Sequence, residues 1–496
     1  MSNVLPPELA QTAASSTGLV SDGQRLHEDN KPPVRMQRLA WGVIVVSFGV
    51  FCLICVLSTL GLYSFLFESS TSLSALVQAG RGTVLVTDAD FNVQGVQGRD
   101  SAVITSRRAV ISTDGQSQAE ISFSELVNGT SSELMTLTLR SNTSAQLVRA
   151  EKPRFSWSLR GQQVILDRFM GQMDVVILPS AGENVVVSVQ DVSGGYVSMI
   201  APGRYTLDVT DSRTRVAVRD GRAVMSNSDS SGVRLIDTGR EGALYTARSE
   251  PVAVPNPNQN LLSNGHFTFA EPAIPRFENG TEQLPSWDCT ASQESGPTSM
   301  YGYDSWQGRQ VLRFRRGDGA DSNGRTSCVQ RFPGEGLDIR DFRYLELETI
   351  VLINFQSLSK CGTVGTECPV MLRLRYESED GTVEEWIQGL YYADDPIRRD
   401  FPSRCVNCLG GIGDHRQINE KVWYTYNSGN LLTALTAAGY PVPETIQEVE
   451  FYASGHQYDV FFSEIGLYAG FPEVIPPEVA PNVPEPSPEA ETSQAS

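Results

Sequence analysis

Short runs in which apolar and polar residues alternate recur along most of the chain, beginning near Gly82. Clear examples are Val185-Val186-Val187-Ser188-Val189, Tyr205-Thr206-Leu207-Asp208-Val209 and Met371-Leu372-Arg373-Leu374-Arg375-Tyr376. Such alternation buries one face of a β-strand and leaves the other face polar. Turn signals such as Asp114-Gly115 separate the runs, at a spacing of roughly 8–12 residues that is typical of sandwiches, barrels and solenoids. We therefore predict an all-β fold for the greater part of the chain.

One segment breaks this pattern, because residues 39–67 contain no Asp, Glu, Lys or Arg. A run of about 20 apolar residues is enough to span a bilayer, and Trp41 and Tyr63 lie near its two ends, where interfacial aromatic residues are favoured. A cleaved signal peptide is the main alternative. Its apolar region is normally about 7–15 residues long and lies nearer the start of the chain. We therefore predict an uncleaved transmembrane helix.

The charges that flank the span predict its orientation. Lys31, Arg35 and Arg38 precede it and Glu68 follows it, and the positively charged side of a span stays in the cytoplasm. We therefore assign residues 1–38 to a disordered cytoplasmic tail, residues 39–67 to the transmembrane helix and residues 68–81 to a Ser-rich stalk outside the cytoplasm.

Residues 82–247 resemble the FecR-like domain family. The resemblance rests on the strand–turn–strand sequence Ala109–Phe123, on Val164–Met173 and on the closing pattern Thr214–Val224. It departs from the family at Pro202-Gly203-Arg204-Tyr205, where a Gly-Thr pair is usual. The resemblance implies an extracytoplasmic β-domain that senses or scaffolds, which in signalling members acts on a cytoplasmic anti-sigma segment. We place this domain at residues 82–250.

A Pro/Asn-rich linker, residues 251–258, precedes a second resemblance. Asn260–Phe267, Leu284–Trp287 and Asp459–Tyr468 look like the opening and closing motifs of a galactose-binding-like jelly roll of the carbohydrate-binding-module type. This resemblance covers residues 259–470 and implies a β-sandwich that binds glycans.

Composition limits the classes of partner. The chain has 496 residues with 58 Asp+Glu against 39 Lys+Arg, a formal net charge of −19, which opposes a nucleic-acid backbone. Residues 471–496 contain seven prolines, five glutamates and no basic residue, a composition typical of a disordered tail. We therefore predict no nucleic-acid partner.

Eight cysteines divide between two environments. Cys52 and Cys55 lie in the predicted span, where small apolar residues are expected. The other six lie in the C-terminal half, and an even number outside the cytoplasm indicates up to three disulfides. Six cysteines permit 15 connectivities; neighbours along the chain suggest Cys361–Cys368, and Cys405–Cys408 with Cys289–Cys328 is one of the ways to complete the set. The alternative is a structural zinc ion held by the last four of these cysteines.

Catalytic motifs are absent from the sequence. The four histidines do not form a His-Glu-x-x-His motif, and no Gly-x-Ser-x-Gly elbow or phosphate-binding loop occurs. Glu384-Glu385 and Asp394-Asp395 could be proposed as glycosidase carboxylates. Adjacent residues on a strand point to opposite faces, so we interpret these pairs as surface acids. We therefore predict that the protein is not an enzyme.

Aromatic residues in the second module are candidates for sugar binding, because sugars stack their apolar ring faces on aromatic side chains. The candidates are Tyr301, Tyr303, Trp306, Trp386, Trp423 and Tyr426. The alternative is that these rings belong to the core. The resemblance to jelly-roll modules implies that Glu464, at the acidic position of the closing strand, is a candidate ligand for a structural calcium ion; the alternative is an exposed strand residue.

Together these patterns predict a single-pass membrane protein with a cytoplasmic N-terminus and an all-β portion outside. Its predicted function is non-catalytic binding of a glycan or of an envelope partner. The alternatives are a transmembrane sensor that acts through the cytoplasmic tail, and an assembly scaffold in which the β-domains contact only other proteins.

Overall fold

The structure, a computed structural model, describes residues 34–471 apart from gaps at 105–107, 128–129, 156, 159–160, 183, 230–231, 247–249, 257, 268–283, 285, 396, 398–400 and 409. Most of the predicted cytoplasmic tail, residues 1–33, and residues 472–496 of the predicted Pro/Glu-rich tail lie outside the described residues. The chain divides into two compact units, Met1–Phe65 and Leu66–Ser496.

The first unit contains one long helix. Helix α1 runs from Val34 to Tyr63, and a π-helical turn follows at Ser64–Glu68. Within Arg38–Glu68, an 18-residue window reaches a mean hydropathy of 2.7, and none of that window is buried. Its length and composition fit a membrane span, and they fit a signal sequence equally well.

The first part of the second unit, here called the first β half, contains eighteen described strands. They are β1 Ser70–Ser72, β2 Ser74–Arg81, β3 Thr83–Thr87, β4 Val93–Gln97, β5 Ser101–Ile104, β6 Ala109–Thr113, β7 Gln118–Val127, β8 Thr130–Leu139, β9 Ser144–Pro153, β10 Gln162–Ile177, β11 Val185–Asp191, β12 Tyr196–Met199, β13 Gly203–Val209, β14 Arg213–Asp220, β15 Arg222–Ser226, β16 Val233–Asp237, β17 Arg240–Tyr245 and β18 Val252–Pro255. A short 3₁₀ turn lies at Pro179–Ala181.

These strands form two sheets that share the long strand β10. One sheet has the order β4-β3-β6-β9-β10-β11-β12-β15-β16, with β1 added on β9. The other has the order β5-β2-β7-β8-β10-β13-β14-β17-β18. Strand β10 changes sheets near Arg168 and Gly171, which both have positive φ and lie beside a break in register. Alternate apolar residues of both sheets meet in one core.

The second part, here called the sandwich half, contains the remaining described strands and one helix. They are β19 Asn258–Asn260, β20 Asp288–Gln293, β21 Met300–Trp306, β22 Arg309–Arg316, β23 Gly324–Arg331, β24 Leu337–Asp338, β25 Tyr344–Gln356, β26 Val370–Ser378, β27 Val383–Tyr391, β28 Arg416–Gln417, β29 Tyr424–Asn427, α2 Leu431–Ala438, β30 Pro443–Gly455 and β31 Tyr458–Gly470.

Two sheets enclose the core of the sandwich half. The junction sheet has the order β21-β22-β31-β25-β29, with β19 added on β31, and the open sheet has the order β20-β23-β30-β26-β27-β28, with β24 added on β30. Phe314, Phe451 and Phe462 pack together between them, with ring centroids 4.7–5.6 Å apart. The prediction of an all-β fold after one apolar N-terminal helix is confirmed.

Two segments predicted to be connections are largely strands. The end of the predicted stalk forms β2, in which Ala75, Val77 and Ala79 are fully buried against the first core. The predicted linker contributes β18 and the start of β19, which pair with β17 and β31. Proline is tolerated in these positions because β18 is an edge strand.

Candidate functional site

Three disulfides join the cysteines of the sandwich half in the pairs suggested by the sequence: Cys289–Cys328, Cys361–Cys368 and Cys405–Cys408. Because a thiolate is the zinc ligand, these oxidised pairs do not fit the alternative of a four-cysteine zinc site. Among the described residues, one group of metal-ligand type is gathered closely enough to hold an ion, and it consists of Cys361, Cys368 and His415.

The imidazole of His415 is already engaged in this group. Its Nδ1 accepts a hydrogen bond from the Gly389 N–H at 2.9 Å, and its Nε2 lies 2.7 Å from the Gly365 carbonyl. Burial lowers the pKa of His415, so the neutral ring is the stable form. With both nitrogens paired and both sulfurs bonded to each other, this group is a structural cluster in the oxidised protein.

The aromatic residues singled out for sugar binding lie inside the molecule. Five of the six side chains are less than a tenth exposed, and Trp306 is half-buried. Tyr301, Tyr303, Trp386 and Tyr426 belong to the sandwich core, whereas Trp306 and Trp423 lie in a smaller cluster that also contacts Val176 of the first β half. The rings therefore do not form a solvent-facing platform, and the geometry adds no support to their predicted role.

The site that the structure does assemble is a junction between the two halves. The outer face of the junction sheet packs on the first β half and buries charged side chains. Arg140 donates to Asp174 at 2.6 Å and to Glu348 of the sandwich half at 2.7 Å. Arg219 donates to the other oxygen of Glu348 at 2.6 Å, and its guanidinium lies 4.2 Å from the ring centre of Tyr468.

The electrostatics of this cluster follow from its burial. Burial alone would raise the pKa of the Glu348 carboxyl, but the guanidinium groups of Arg219 and Arg140 hold it well below its usual range. Burial together with the Glu348 charge raises the pKa of nearby Glu346. Glu348 is therefore a permanent anion that links two arginines of one half to the other half.

Glu464, the predicted calcium ligand, belongs to the same junction. Its carboxylate is 2.8 Å from Arg204 Nε and 3.7 Å from Arg219 Nη1, and its Oε1 lies 3.5 Å from His266 Nδ1. Burial lowers the pKa of His266, so the imidazole is neutral at neutral pH. Two guanidinium groups occupy the surroundings that a cation would need, so the donor set at Glu464 does not fit calcium.

A second ionic cluster lies beside the first. Arg309 of the sandwich half donates to Glu133 at 3.1 Å and to the hydroxyl of Thr136. Its guanidinium also lies 4.5 Å from the ring centre of Trp423. Burial raises the pKa of Glu120 to about 8, although Arg309 opposes the shift, so this carboxyl is protonated at neutral pH. In this cluster the buried guanidinium of Arg309 is therefore paired with Glu133, while Glu120 carries no charge.

Polar groups close to the backbone complete the junction. Gln118 and the backbone of Thr425 exchange two hydrogen bonds of 2.9 Å. Asn419 donates from its backbone to Gly80 and from its side chain to Ala79.

A cavity of about 410 Å³ remains between the halves beside Arg204, His266 and Arg309. Arg204 and Arg309 already form ion pairs with Glu464 and Glu133, so we assign the cavity no ligand.

The open sheet turns a row of charged side chains outward. Arg325 donates to Glu450 at 2.5 Å and lies over the ring of Tyr452 at 3.8 Å. Arg373 contacts Glu385, Glu448 and Glu450 at 2.7–3.2 Å. Arg331 pairs with Asp288 at 2.8 Å, and its side chain is 58% exposed. In this row, here called the open face, Arg325, Arg331 and Asp288 reach solvent, whereas Glu448 and Glu450 are buried.

Comparisons with known proteins find no matching family model and no matching curated protein. Solved structures do match parts of the chain. A candidate anti-sigma factor from Parabacteroides distasonis is 13% identical with a TM-score of 0.20, over 29% of this chain and 59% of that one. The chain thus spans about three-fifths of the length of that protein.

Carbohydrate-binding modules match the chain as well. The family 11 carbohydrate-binding module of a Clostridium thermocellum cellulosomal cellulase is 10% identical with a TM-score of 0.22, over 41% of this chain and 99% of that one. A xylan-binding domain from Paenibacillus barcinonensis gives 10% identity and a TM-score of 0.22, over 40% of this chain and 92% of that one. These matches are weak and partial, and we transfer no residue role from them.

Proposed function

We propose that this chain is a non-catalytic binding protein tethered to a membrane by its N-terminal helix, with its β halves on the extracytoplasmic side. The first β half holds the sandwich half, and the open face binds a polar partner, which is a glycan or a protein of the cell envelope. The apolar helix, the positive charges before it and the disulfides of the sandwich half support the tether and its orientation.

One observation carries the binding proposal: the two outer faces of the sandwich half are used differently. The face of the junction sheet is occupied by the first β half through Glu348, Glu464 and Arg309. The open face keeps Arg325 and Arg331 in contact with solvent. A face with alternating cations and anions suits a partner that supplies hydroxyl, amide or charged groups.

The experiment measures binding of the detergent-solubilised full chain to a glycan array and to proteins of an envelope extract. The test variant is Arg325→Glu with Arg331→Glu, which reverses charge on the open face. The control is Arg340→Glu, because Arg340 is about as exposed as Arg331 and pairs with Asp338, which is not a member of the row that defines the open face. We expect the double variant to lose binding and the control to keep it. Absence of binding in both assays, or equal binding by all three proteins, refutes the proposal.

The junction favours assembly over a sensor that works by moving the two halves apart. Separation would expose Glu348, Arg219 and Arg309, which lose their partners across the junction. Separation would return both partners of each pair to water, so the ion pairs add little net free energy to the junction, but together they specify one arrangement of the two halves. A scaffold that presents one fixed surface is consistent with this arrangement.

A further inference from the structure

Two aromatic rings in the loop after β9 stack on each other, and one of them is exposed while the other is half-buried. Phe155 and Trp157 stack with their ring centroids 4.9 Å apart and their planes inclined by 12°. The Trp157 side chain is 58% exposed. In the sandwich half, by contrast, Trp287, Trp386 and Trp423 are all less than 5% exposed. An exposed indole leaves a large apolar surface in contact with water. We therefore looked for a surface that could cover the Trp157 ring.

The loop is fixed beside the end of the candidate span. Ser158 donates from its hydroxyl to the Phe67 carbonyl at 2.6 Å, and the Arg154 N–H donates to the Ser69 carbonyl at 3.1 Å. Strand β1, which begins at Ser70, pairs with the last residues of β9. The candidate span itself ends at Glu68. The stacked rings are therefore held next to the residues at which the chain would leave a membrane.

We propose that Phe155 and Trp157 insert into the headgroup region of the membrane that holds the N-terminal helix. This inference rests on the membrane tether of the proposed function. Tryptophan is favoured at the boundary between lipid and water, because its ring is apolar while its N–H can hydrogen-bond to headgroups. The lipid surface would cover the part of the Trp157 ring that stacking on Phe155 leaves exposed. A second contact with lipid restrains the first β half at the membrane surface.

The test is tryptophan fluorescence of the full chain reconstituted into phosphatidylcholine vesicles. The lipid carries bromine near the headgroup end of its acyl chains, so that only shallow indoles are quenched. Both Trp41 and Trp157 are well exposed, and the first is removed by working in a Trp41→Phe background. We expect bromolipid to quench part of the emission in this background, and we expect that quenching to be lost when Trp157→Phe is added.

A matched control reports non-specific adsorption of the β halves. Ile397 is 89% exposed on a loop of the sandwich half, so Ile397→Trp in the Trp41→Phe, Trp157→Phe background provides an exposed indole elsewhere. We expect this indole to escape quenching. Equal quenching at both positions, or no quenching of Trp157 in vesicles that retain the chain after a carbonate wash, overturns the inference. Release of the chain by the carbonate wash instead refutes the tether, so the two failures are distinguishable.

Discussion

The junction makes a quantitative prediction at Arg140. Replacement by Met keeps the aliphatic length and removes the guanidinium, which makes two contacts of 2.6 and 3.0 Å with Asp174 and one of 2.7 Å with Glu348. Glu348 keeps Arg219 at 2.6 Å, whereas Asp174 keeps a hydrogen bond from the Thr206 hydroxyl at 3.0 Å. One buried carboxylate thus loses its cation. We expect Arg140→Met to lower the free energy of unfolding by about 3 kcal/mol, the lower end of the cost of breaking a buried pair.

The assay is urea unfolding of the detergent-solubilised full chain, followed by tryptophan fluorescence and by circular dichroism. Arg149→Met is the matched control, because Arg149 is an exposed arginine with one loose contact of 3.9 Å to Glu151. Its effect should stay within about 0.5 kcal/mol, as for ordinary surface substitutions. If Arg140→Met costs no more than the control, the guanidinium does not compensate buried charge at the junction, and the reasoning fails.

Three further predictions concern acid, disulfides and a close backbone contact. The pKa of Glu348 is held below its ordinary value of 4.5. The ionised carboxylate therefore stabilises the fold above pH 4.5, and this stabilisation is lost as the pH falls towards the lowered pKa. Glu348→Gln should flatten the acid limb of the curve of unfolding free energy against pH, and an unchanged limb would contradict this prediction. Replacing Cys289–Cys328 by serines should cost about 4 kcal/mol and replacing Cys361–Cys368 about 2.5 kcal/mol, since the chain-entropy cost grows with loop length, and the reverse order in thermal melts contradicts the argument. A Cβ on Gly410 would lie 1.4 Å from a backbone oxygen whereas one on Gly413 meets nothing, so Gly410→Ala should lower the melting temperature and Gly413→Ala should not.

The alternation of apolar and polar residues was sufficient to predict the β class, because each core takes one face of its strands. The same signal was present where a stalk is predicted: Ala75, Val77 and Ala79 alternate in a Ser-rich stretch and are all buried in β2. The prediction of a stalk gave more weight to the serine content of this segment than to its alternation of apolar residues. Two of the three disulfides could also be predicted from the sequence, because they join cysteines that are only 7 and 3 residues apart.

The junction could not be predicted by the same reasoning. In Tyr344-Leu345-Glu346-Leu347-Glu348, alternation indicates an apolar face and a solvent-facing acidic face. The leucines do enter the core, but Glu346 and Glu348 are buried as well, because the first β half covers the second face. Local periodicity describes one strand and carries no information about which distant strands meet it. The partner arginines on β14 and after β8 are 129 and 208 residues away from Glu348.

A polar junction of this kind restricts how the two halves can combine. Apolar surfaces tolerate several docking registers, whereas Glu348 has its partners only when Arg140 and Arg219 arrive together. Arg309 imposes the same condition through Glu133 and Thr136. Buried charges contribute little net stability because their desolvation offsets their attraction, but a wrong register would leave them unpaired at full cost. We infer that the junction selects one arrangement, which leaves the open sheet as the face available to a partner.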